Sequence, residues 1–197
     1  MKKTISAVIL AGGLARRMGG VDKGLQLLKG KPLFMHIYEK LKSQVSQVSI
    51  NANRNQNLYS QSGLAVFSDC LDGFQGPLSG MLTGLKSAKT DFVLFVPCDS
   101  PYFPDNLLEK LKSAVEKEQV LIAYATDLTR EHPTFCLIST TLQGQLEQYL
   151  QTGERKLLKF MQKNRAVAVC FGKEANFTNI NTMDKLQTLN LSSPKQS

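Results

Sequence analysis

The opening segment of the chain concentrates glycine and positive charge in one loop. It reads SAVILAGGLARRMGGVDKGL over residues 6–25, so an apolar run leads directly into paired glycines. Residues 1–31 hold seven Lys and Arg residues against Asp22 alone, and most of the net charge of +8 therefore lies there. Glycines let a backbone approach a ligand closely, and amide groups together with Arg17 and Lys23 can bind phosphate oxygens. The loop indicates a site for an anion.

Two kinds of anionic ligand suit such a basic segment, nucleic acid and a small polyphosphate. Residues 1–31 contain no aromatic side chain that could stack on bases, which favours the small ligand. The common phosphate loops, GxxxxGK[ST] and a helix-opening GxGxxG, are both missing. A tight turn with solvated cations stays open as the alternative.

Apolar runs and amphipathic segments alternate along most of the chain. The predicted strands are 4–10, 47–51, 64–69, 91–99, 119–125, 134–139 and 165–171. The predicted helices are 32–45, 54–62, 77–88, 104–118, 140–153 and 181–189. Strands separated by helices indicate parallel pairing through right-handed crossovers. The prediction is one α/β domain over residues 1–190, a doubly wound and mostly parallel sheet with helices on both faces, followed by a disordered tail at 191–197.

Polar residues follow four successive predicted strands. Gly12 to Lys23 come after the first strand, Asn51 after the second, Asp69 after the third and Asp99 after the fourth. Ligands of doubly wound sheets bind at the carboxyl ends of the strands, so these residues are expected to share a site for phosphate, sugar or metal. A carboxylate at the end of an apolar strand is costly unless it is paired, and Mg²⁺ would suit Asp99. The alternative is that Asp99 caps the following helix.

Three further features could belong to a site. Gly76, Gly80 and Gly84 share one helical face; packing on the sheet would explain Gly84, whereas the other two could admit a base or ribose. His132 is either a general base or a structural residue, and we favour the structural role. Asn179 and Asn181 project to the same side of an extended segment and could bind a polar ligand.

Composition excludes several classes of protein. The four cysteines lie far apart without a CxxC pair, which favours reduced thiols in or near the core. The two histidines share no zinc motif. No run approaches the roughly 18 apolar residues of a membrane-spanning helix, and residues 5–11 are interpreted as a strand rather than a signal peptide. We expect a cytoplasmic monomer that binds neither nucleic acid nor a membrane.

An ordered set of motifs resembles one enzyme family. LAGGLARRMGGVDKGL is similar to the LAGGxxxRMGxxK phosphate loop of nucleotidyltransferases. NANRNQNLY, GPLSGMLTGL, FVPCDSPYFP, REHPTF, YLQTGERK and NINT then follow in the order found in molybdenum cofactor guanylyltransferases, over residues 5–186. The resemblance implies transfer of GMP from GTP to the terminal phosphate of molybdopterin, with Mg²⁺ or Mn²⁺, and release of pyrophosphate. It also implies transient contact with other cofactor-biosynthesis proteins or chaperones.

The same resemblance implies a role for individual residues. The nucleotide-binding set would be Leu10, Ala11, Gly12, Lys23, Asn51, Asp69 and Asp99, within a nucleotide-binding half of about residues 1–100. Arg17, Lys23 and Asp99 would be catalytic, and Asp99 would also bind the metal. The acceptor-binding set, in a half of about residues 101–190, would be Arg155, Lys156, Asn179 and Asn181. Two departures are Lys156, where a second arginine is expected, and Met183, where a proline is usual.

Two rival functions stay open. The first loop also suits a nucleotidyltransferase that acts on a sugar or polyol phosphate with CTP, UTP or dTTP, although GERK and NINT favour the pterin. A module that binds nucleic acid without catalysis is the other rival. It would retain polynucleotide and ignore GTP with magnesium.

Overall fold

Nine strands occur in the part of the chain that the computed structural model describes, which is residues 3–13, 20–71, 76–172 and 176–192. They are β1 (Ile5–Leu10), β2 (Leu27–Leu28), β3 (Lys31–Pro32), β4 (Val48–Asn51), β5 (Ala65–Phe67), β6 (Phe92–Pro97), β7 (Ile122–Thr126), β8 (Glu131–Ser139) and β9 (Val167–Cys170). Strands β2 and β3 form a short hairpin. The other seven form one sheet in the order β5-β4-β1-β6-β8-β7-β9.

The main sheet is mostly parallel, as the sequence predicted. Strand β1 lies between β4 and β6 and is parallel to both, and the pairs β4–β5 and β7–β9 are also parallel. Strand β8 runs antiparallel to its neighbours β6 and β7. Only residues 127–130 separate β7 from β8, whereas a parallel crossover needs a dozen residues or more. The reversal of β8 therefore follows from the short connection.

Seven α-helices accompany the strands in the described residues. They are α1 (Leu33–Leu41), α2 (Gln56–Ser60), α3 (Pro77–Ser87), α4 (Leu107–Glu118), α5 (Gln143–Gln151), α6 (Leu157–Lys163) and α7 (Met183–Leu191), and a 3-10 helix (Thr140–Leu142) precedes α5. None of the helices in the described ranges is both long enough and apolar enough to cross a membrane.

Side chains that alternate along the strands pack into two separate apolar cores, one on each face of the sheet. On β1, Ala7 and Ile9 pack with residues of α1 and α4, whereas Val8 packs with residues of α3, α5 and α6. Successive residues of a strand point to opposite faces, so this division requires helices on both sides of the sheet. The doubly wound, two-faced arrangement is confirmed.

Helix α3 lies unusually close to the sheet at Gly84. A Cβ at this position would lie 2.9 Å from Cε1 of Phe95 and 3.1 Å from Cγ2 of Val8. The packing role predicted for Gly84 is confirmed, since a side chain would collide with the buried face of the sheet.

Helix α6 and the β2–β3 hairpin were missed from the sequence. The helix has only seven residues, although Leu157, Phe160 and Met161 are buried at helical spacing. The hairpin has two residues in each strand. Segments this short carry too few residues for a periodic pattern to predict them.

The hairpin is fastened to the last helix. The backbone amide of Lys29 donates to Oδ1 of Asn190 at 2.7 Å, and Nδ2 of Asn190 donates to the carbonyl of Leu27 at 3.0 Å. Leu28, Leu33, Ile180 and Leu186 form a small apolar cluster beneath these bonds. The tail was predicted to begin at 191, but Leu191 completes α7 and Ser192 accepts a hydrogen bond from Lys29. Residues 193–197 lie outside the described residues.

The four thiols are free and differ in location. Cys98 and Cys136 are buried, as predicted, and burial raises the pKa of both thiols. Cys70 and Cys170 are exposed, so the expectation of a core position was wrong for them. On β9, alternate side chains face the solvent, which places Cys170 outside the core.

A pair of glycine substitutions tests the contact of α3 with the sheet. We expect Gly84→Ala to lower the free energy of unfolding by about 1–3 kcal/mol, because the methyl group overpacks the core. Gly144→Ala is the matched control, since its Cβ would meet nothing within 4 Å, and a helical alanine adds up to about 1 kcal/mol. Urea unfolding of both variants measures the difference. Equal stability would mean that α3 can move away from the sheet at no cost.

Candidate active site

The polar residues that follow the parallel strands meet at one edge of the sheet. Leu10, Gly12, Asn51, Asp69 and Asp99 all line a cavity of about 360 Å³, which we call the strand-end cavity. A second cavity of about 120 Å³, the lysine cavity, shares Leu10 and Asp99 with it. Ala11 and Lys23 line the lysine cavity. All seven residues predicted to bind the nucleotide therefore line these two adjoining spaces.

An ion pair joins Lys23 of the lysine cavity to Asp99, which lines both cavities. Nζ of Lys23 lies 3.0 Å from Oδ2 of Asp99 and donates a second hydrogen bond, of 2.6 Å, to Oδ1 of Asn181. Asp99 is only 8% exposed. Its Oδ1 accepts from the hydroxyl of Ser100 at 3.1 Å and from Nδ2 of Asn179 at 3.3 Å. The carboxylate at the end of β6 is thus compensated by a cation and two neutral donors.

Asn51 and Asp69, which both line the strand-end cavity, form a second polar pair. Nδ2 of Asn51 donates to Oδ1 of Asp69 at 2.8 Å, and Asn51 is 2% exposed. A Cβ on Gly80 would lie 2.1 Å from Oδ1 of Asn51. The room beside Gly80, which the sequence suggested for a base or ribose, is occupied by the Asn51 amide. Gly76 has a φ of +74° and does line the cavity.

The Asn179–Asn181 segment crosses the end of β6. The amide of Ile180 donates to the carbonyl of Asp99 at 2.7 Å, so the two asparagine side chains flank that contact. Both reach the Lys23–Asp99 pair, as described above. The sequence predicted that they act together, but on the acceptor side. The structure brings them to the same ion pair as the residues predicted for the nucleotide.

Arg155 and Lys156 lie in the connection between α5 and α6 and line neither cavity. Nη1 of Arg155 donates to the carbonyls of Leu150 and Glu154, at 2.7 Å each. The carbonyl of Lys156 accepts from the hydroxyl of Tyr149 at 2.9 Å. These bonds fix the backbone of the connection. Arg17, the remaining predicted site residue, lies outside the described residues.

His132 lies outside both cavities and contacts Asp127 and Phe177. Its Nε2 lies 2.7 Å from Oδ2 of Asp127, and hydrogen bonds from Thr129 and His132 hold the pKa of Asp127 below its usual value. The imidazole stacks on Phe177, with ring centroids 4.5 Å apart. His132 lines neither cavity, whereas its neighbour Thr134 lines the strand-end cavity. This placement fits the structural role that the sequence favoured.

Contacts from the segment after β4 were not foreseen. Oδ1 of Asn53 accepts from the amide of Asp69 at 2.9 Å. The guanidinium of Arg54 donates to the carbonyls of Gly13 and Gly20, at 3.2 and 3.1 Å. The polar run NANRNQN was the available signal, but a polar run after a strand does not reveal which backbone groups it will meet.

The lysine cavity is also lined by a thiol. Cys98 lines it directly before Asp99. Burial, with the Asp99 carboxylate nearby, holds the pKa of the Cys98 thiol well above its usual value. The thiolate is the reactive form of cysteine, so these surroundings disfavour Cys98 as a nucleophile.

The surroundings of Asp99 fit a magnesium ion that is held mainly by phosphates. Within the described residues, no group of three or more His, Cys, Asp or Glu side chains could together hold a metal. A carboxylate offers about four acceptor positions, and hydrogen bonds from described residues use three of those of Asp99. Magnesium commonly takes one or two carboxylates together with substrate phosphates and water. Asp99, with one acceptor position that no described residue uses, meets that requirement.

Known proteins are similar to this chain over most of its length. The family model described as the MobA-like NTP transferase domain matches residues 7–167. The molybdenum cofactor guanylyltransferase of Pasteurella multocida is 61% identical over 189 residues, which is 95% of this chain and 100% of that protein.

Two solved structures show how widely the fold is shared. The molybdopterin-guanine dinucleotide biosynthesis protein A of Archaeoglobus fulgidus has a TM-score of 0.74 at 22% identity, covering 94% of this chain and 96% of that one. A CMP:2-keto-3-deoxy-manno-octonic acid synthetase, solved with CTP, has a TM-score of 0.73 at 14% identity, covering 96% and 97% of the two chains. The fold alone does not separate these activities, whereas the family model and the high identity do. The chain belongs to the MobA-like NTP transferase family, among the molybdenum cofactor guanylyltransferases.

Proposed function

We propose that this enzyme transfers GMP from GTP to the terminal phosphate of molybdopterin and releases pyrophosphate. The observation that carries the proposal is the Lys23–Asp99 pair, at the junction of a cavity lined by Asn51 and Asp69 and a smaller one reached by Lys23. The 61% identity to a molybdenum cofactor guanylyltransferase supports guanine as the base and molybdopterin as the acceptor.

The reaction requires charge compensation more than proton transfer. The attacking group is a phosphate monoester, which is largely dianionic near neutral pH because its second pKa is about 6. It needs no general base, in agreement with a histidine that lines neither cavity. The barrier is the approach of one anion to the α-phosphate of another, so positioning and electrostatic stabilisation dominate. Lys23, together with Arg17, neutralises the triphosphate and the departing pyrophosphate.

Asp99 is the residue that would hold magnesium. The ion, when bound, would stabilise phosphate oxygens in the in-line displacement. Lys23 lies 3.0 Å from the same carboxylate and supplies a second positive charge for the substrate phosphates. Asn51 and Asp69, with the backbone of Leu10, Ala11 and Gly12, contact the nucleoside.

The acceptor approaches from the second half of the chain. Asn179 and Asn181 lie at the Lys23–Asp99 pair and offer amide groups to the incoming phosphate or pterin. Arg155 and Lys156 supply positive charge from the connection between α5 and α6. Lys156 gives a point charge where arginine would give a bidentate fork.

Nucleotide selectivity tests both the substrate and the role of Lys23. We expect the protein with magnesium to bind GTP in preference to ATP, CTP and UTP, as measured by titration calorimetry. Lys23→Ala should abolish most of this binding, because the ammonium at the cavity is lost. Lys31→Ala is the matched control, since Lys31 belongs to the same basic segment but pairs with Glu39 at the surface.

The outcomes of that titration separate the rival functions. A preference for CTP or UTP would move the enzyme to the sugar or polyol phosphate branch. Equal effects of the two lysine variants, with retention of polynucleotide, would instead indicate a general basic patch.

Removing the charge of Asp99 tests its catalytic role. We expect Asp99→Asn to lower kcat by about 10²–10³, the usual cost of one preorganised electrostatic contact. The magnesium concentration for half-maximal activity should also rise. Asp105→Asn is the control, because Asp105 is exposed and contacts only Lys40 among the ion pairs of the described residues. Near-normal turnover in Asp99→Asn would remove Asp99 from the mechanism.

Gly80→Ala tests the Asn51–Asp69 pair without altering either side chain. The new methyl group would displace the Asn51 amide, whose Oδ1 lies 2.1 Å from the position of the added Cβ. A lost hydrogen bond to a charged group corresponds to roughly 10-fold to 100-fold in affinity, and we expect the Kd for GTP to rise by that factor. Gly144→Ala should leave it unchanged. An unaltered Kd in Gly80→Ala would show that Asn51 does not contribute to nucleotide binding.

A further inference from the structure

Asp22 is the one acidic residue in the basic opening segment of residues 1–31, and it directly precedes Lys23. A negative charge beside a site for a polyanion opposes binding unless other groups compensate it. The proposed reaction gives Asp22 no task. Its contacts provide one.

The Asp22 carboxylate is held by three donors. Oη of Tyr59 donates to Oδ1 at 2.5 Å, and the backbone amide of Gly24 donates to the same oxygen at 3.2 Å. Nδ2 of Asn55 donates to Oδ2 at 3.1 Å. These three hydrogen bonds therefore compensate the negative charge of Asp22.

Tyr59, the donor of the shortest of these three hydrogen bonds, is held in place by packing. It is 0% exposed, and its ring packs edge-on against Phe34 with centroids 5.0 Å apart. Burial, with Cys98 and Asp22 nearby, raises the pKa of the Tyr59 phenol, so the hydroxyl keeps its proton and remains a donor. The amide of Phe34 in turn donates to the carbonyl of Gly24 at 3.1 Å. Tyr59 and Phe34 thus fix the backbone directly after Lys23 as well as the side chain directly before it.

The backbone of Gly24 lies very close to the hydroxyl of Tyr59. A Cβ at residue 24 would lie 2.3 Å from Oη of Tyr59. The hydroxyl occupies the space that a side chain would need, so glycine is required for packing at this position.

We propose that Tyr59 is a positioning residue for the nucleotide, acting through Asp22 to set the backbone from which Lys23 reaches the ion pair with Asp99. The residues on both sides of Lys23 are fixed, one by its side chain and the other by its backbone. Lysine has a long, flexible stem that loses rotamer freedom when its ammonium is held in one place. Anchoring its base narrows the positions that the ammonium can reach. The proposal rests on the role given to Lys23 in the proposed function.

The decisive experiment removes only the hydroxyl of Tyr59. Tyr59→Phe and wild type are titrated with GTP in the presence of magnesium chloride, at a temperature where urea unfolding shows both to be folded. We expect the Kd to rise about tenfold in Tyr59→Phe. In the Lys23→Ala background the same change should add almost nothing, because residues that act through one another are not additive.

Tyr124→Phe is the matched control for stability. Tyr124 lies on β7 and is also largely buried. Its hydroxyl likewise donates to a carboxylate, Oε1 of Glu131, at 2.6 Å, but this pair lines neither cavity. A purely structural role would make the two variants alike, each less stable and each with the Kd of wild type. That result would overturn the proposal, as would a loss on Tyr59→Phe that is equally large with and without Lys23.

Exchange of two neighbouring side chains provides a second test. In Asp22→Asn the amide nitrogen of the new side chain can face Nδ2 of Asn55, and the hydrogen bond between residues 22 and 55 is then lost. We therefore expect weaker GTP binding. The double variant Asp22→Asn with Asn55→Asp restores a donor–acceptor pair and should recover part of the affinity. No recovery would contradict the part of the anchor assigned to Asn55.

The two proposals fail in different ways. If the wild-type chain binds no nucleoside triphosphate, both are overturned. If wild type binds GTP, Lys23→Ala binds it much more weakly, and Tyr59→Phe matches wild type, only the positioning role is lost.

Discussion

A lysine ammonium and a largely buried aspartate carboxylate, 3.0 Å apart, impose the constraint on which the rest of this site depends. A carboxylate withdrawn from water is costly unless cations and hydrogen-bond donors surround it. Asp99 finds its partners in three separate parts of the chain: Lys23, the adjacent Ser100, and Asn179. Because the charge must be compensated in this way, the opening loop and the segment before the last helix are both drawn to the end of β6.

The sheet makes that convergence possible. Strands β5, β4, β1 and β6 lie side by side and parallel, so the residues that follow them share one edge. Glycine is used there for more than ligand access. At residue 24 it accommodates the Tyr59 hydroxyl, and at residue 80 it accommodates the Asn51 amide. Side chains of the protein, placed before any ligand arrives, thus occupy space that the missing Cβ atoms leave.

The sequence predicted the parts of the site that follow from periodicity. Parallel strands with polar residues at their ends require Asn51, Asp69 and Asp99 to lie near the first loop, whatever the ligand. The contact of Asn181 with Lys23 could not be predicted this way, because it depends on how a 158-residue separation closes in space. The Tyr59–Asp22 bond was equally hidden, since the direction of one hydroxyl is set by packing. Helix α6 was too short for its spacing to be distinguished from a loop.

The link between the hairpin and α7 has a consequence for biosynthesis. Asn181 and the helix that fastens to Lys29 and Leu27 are among the last described residues of the chain, whereas their partners are among the first. Domains begin to fold as they are synthesised from the N-terminus, so the central parallel strands are available long before the ion pair receives its final donors. A polypeptide whose translation stops early would therefore carry the central strands and the Lys23–Asp99 pair without the amide groups that Asn179 and Asn181 bring to it.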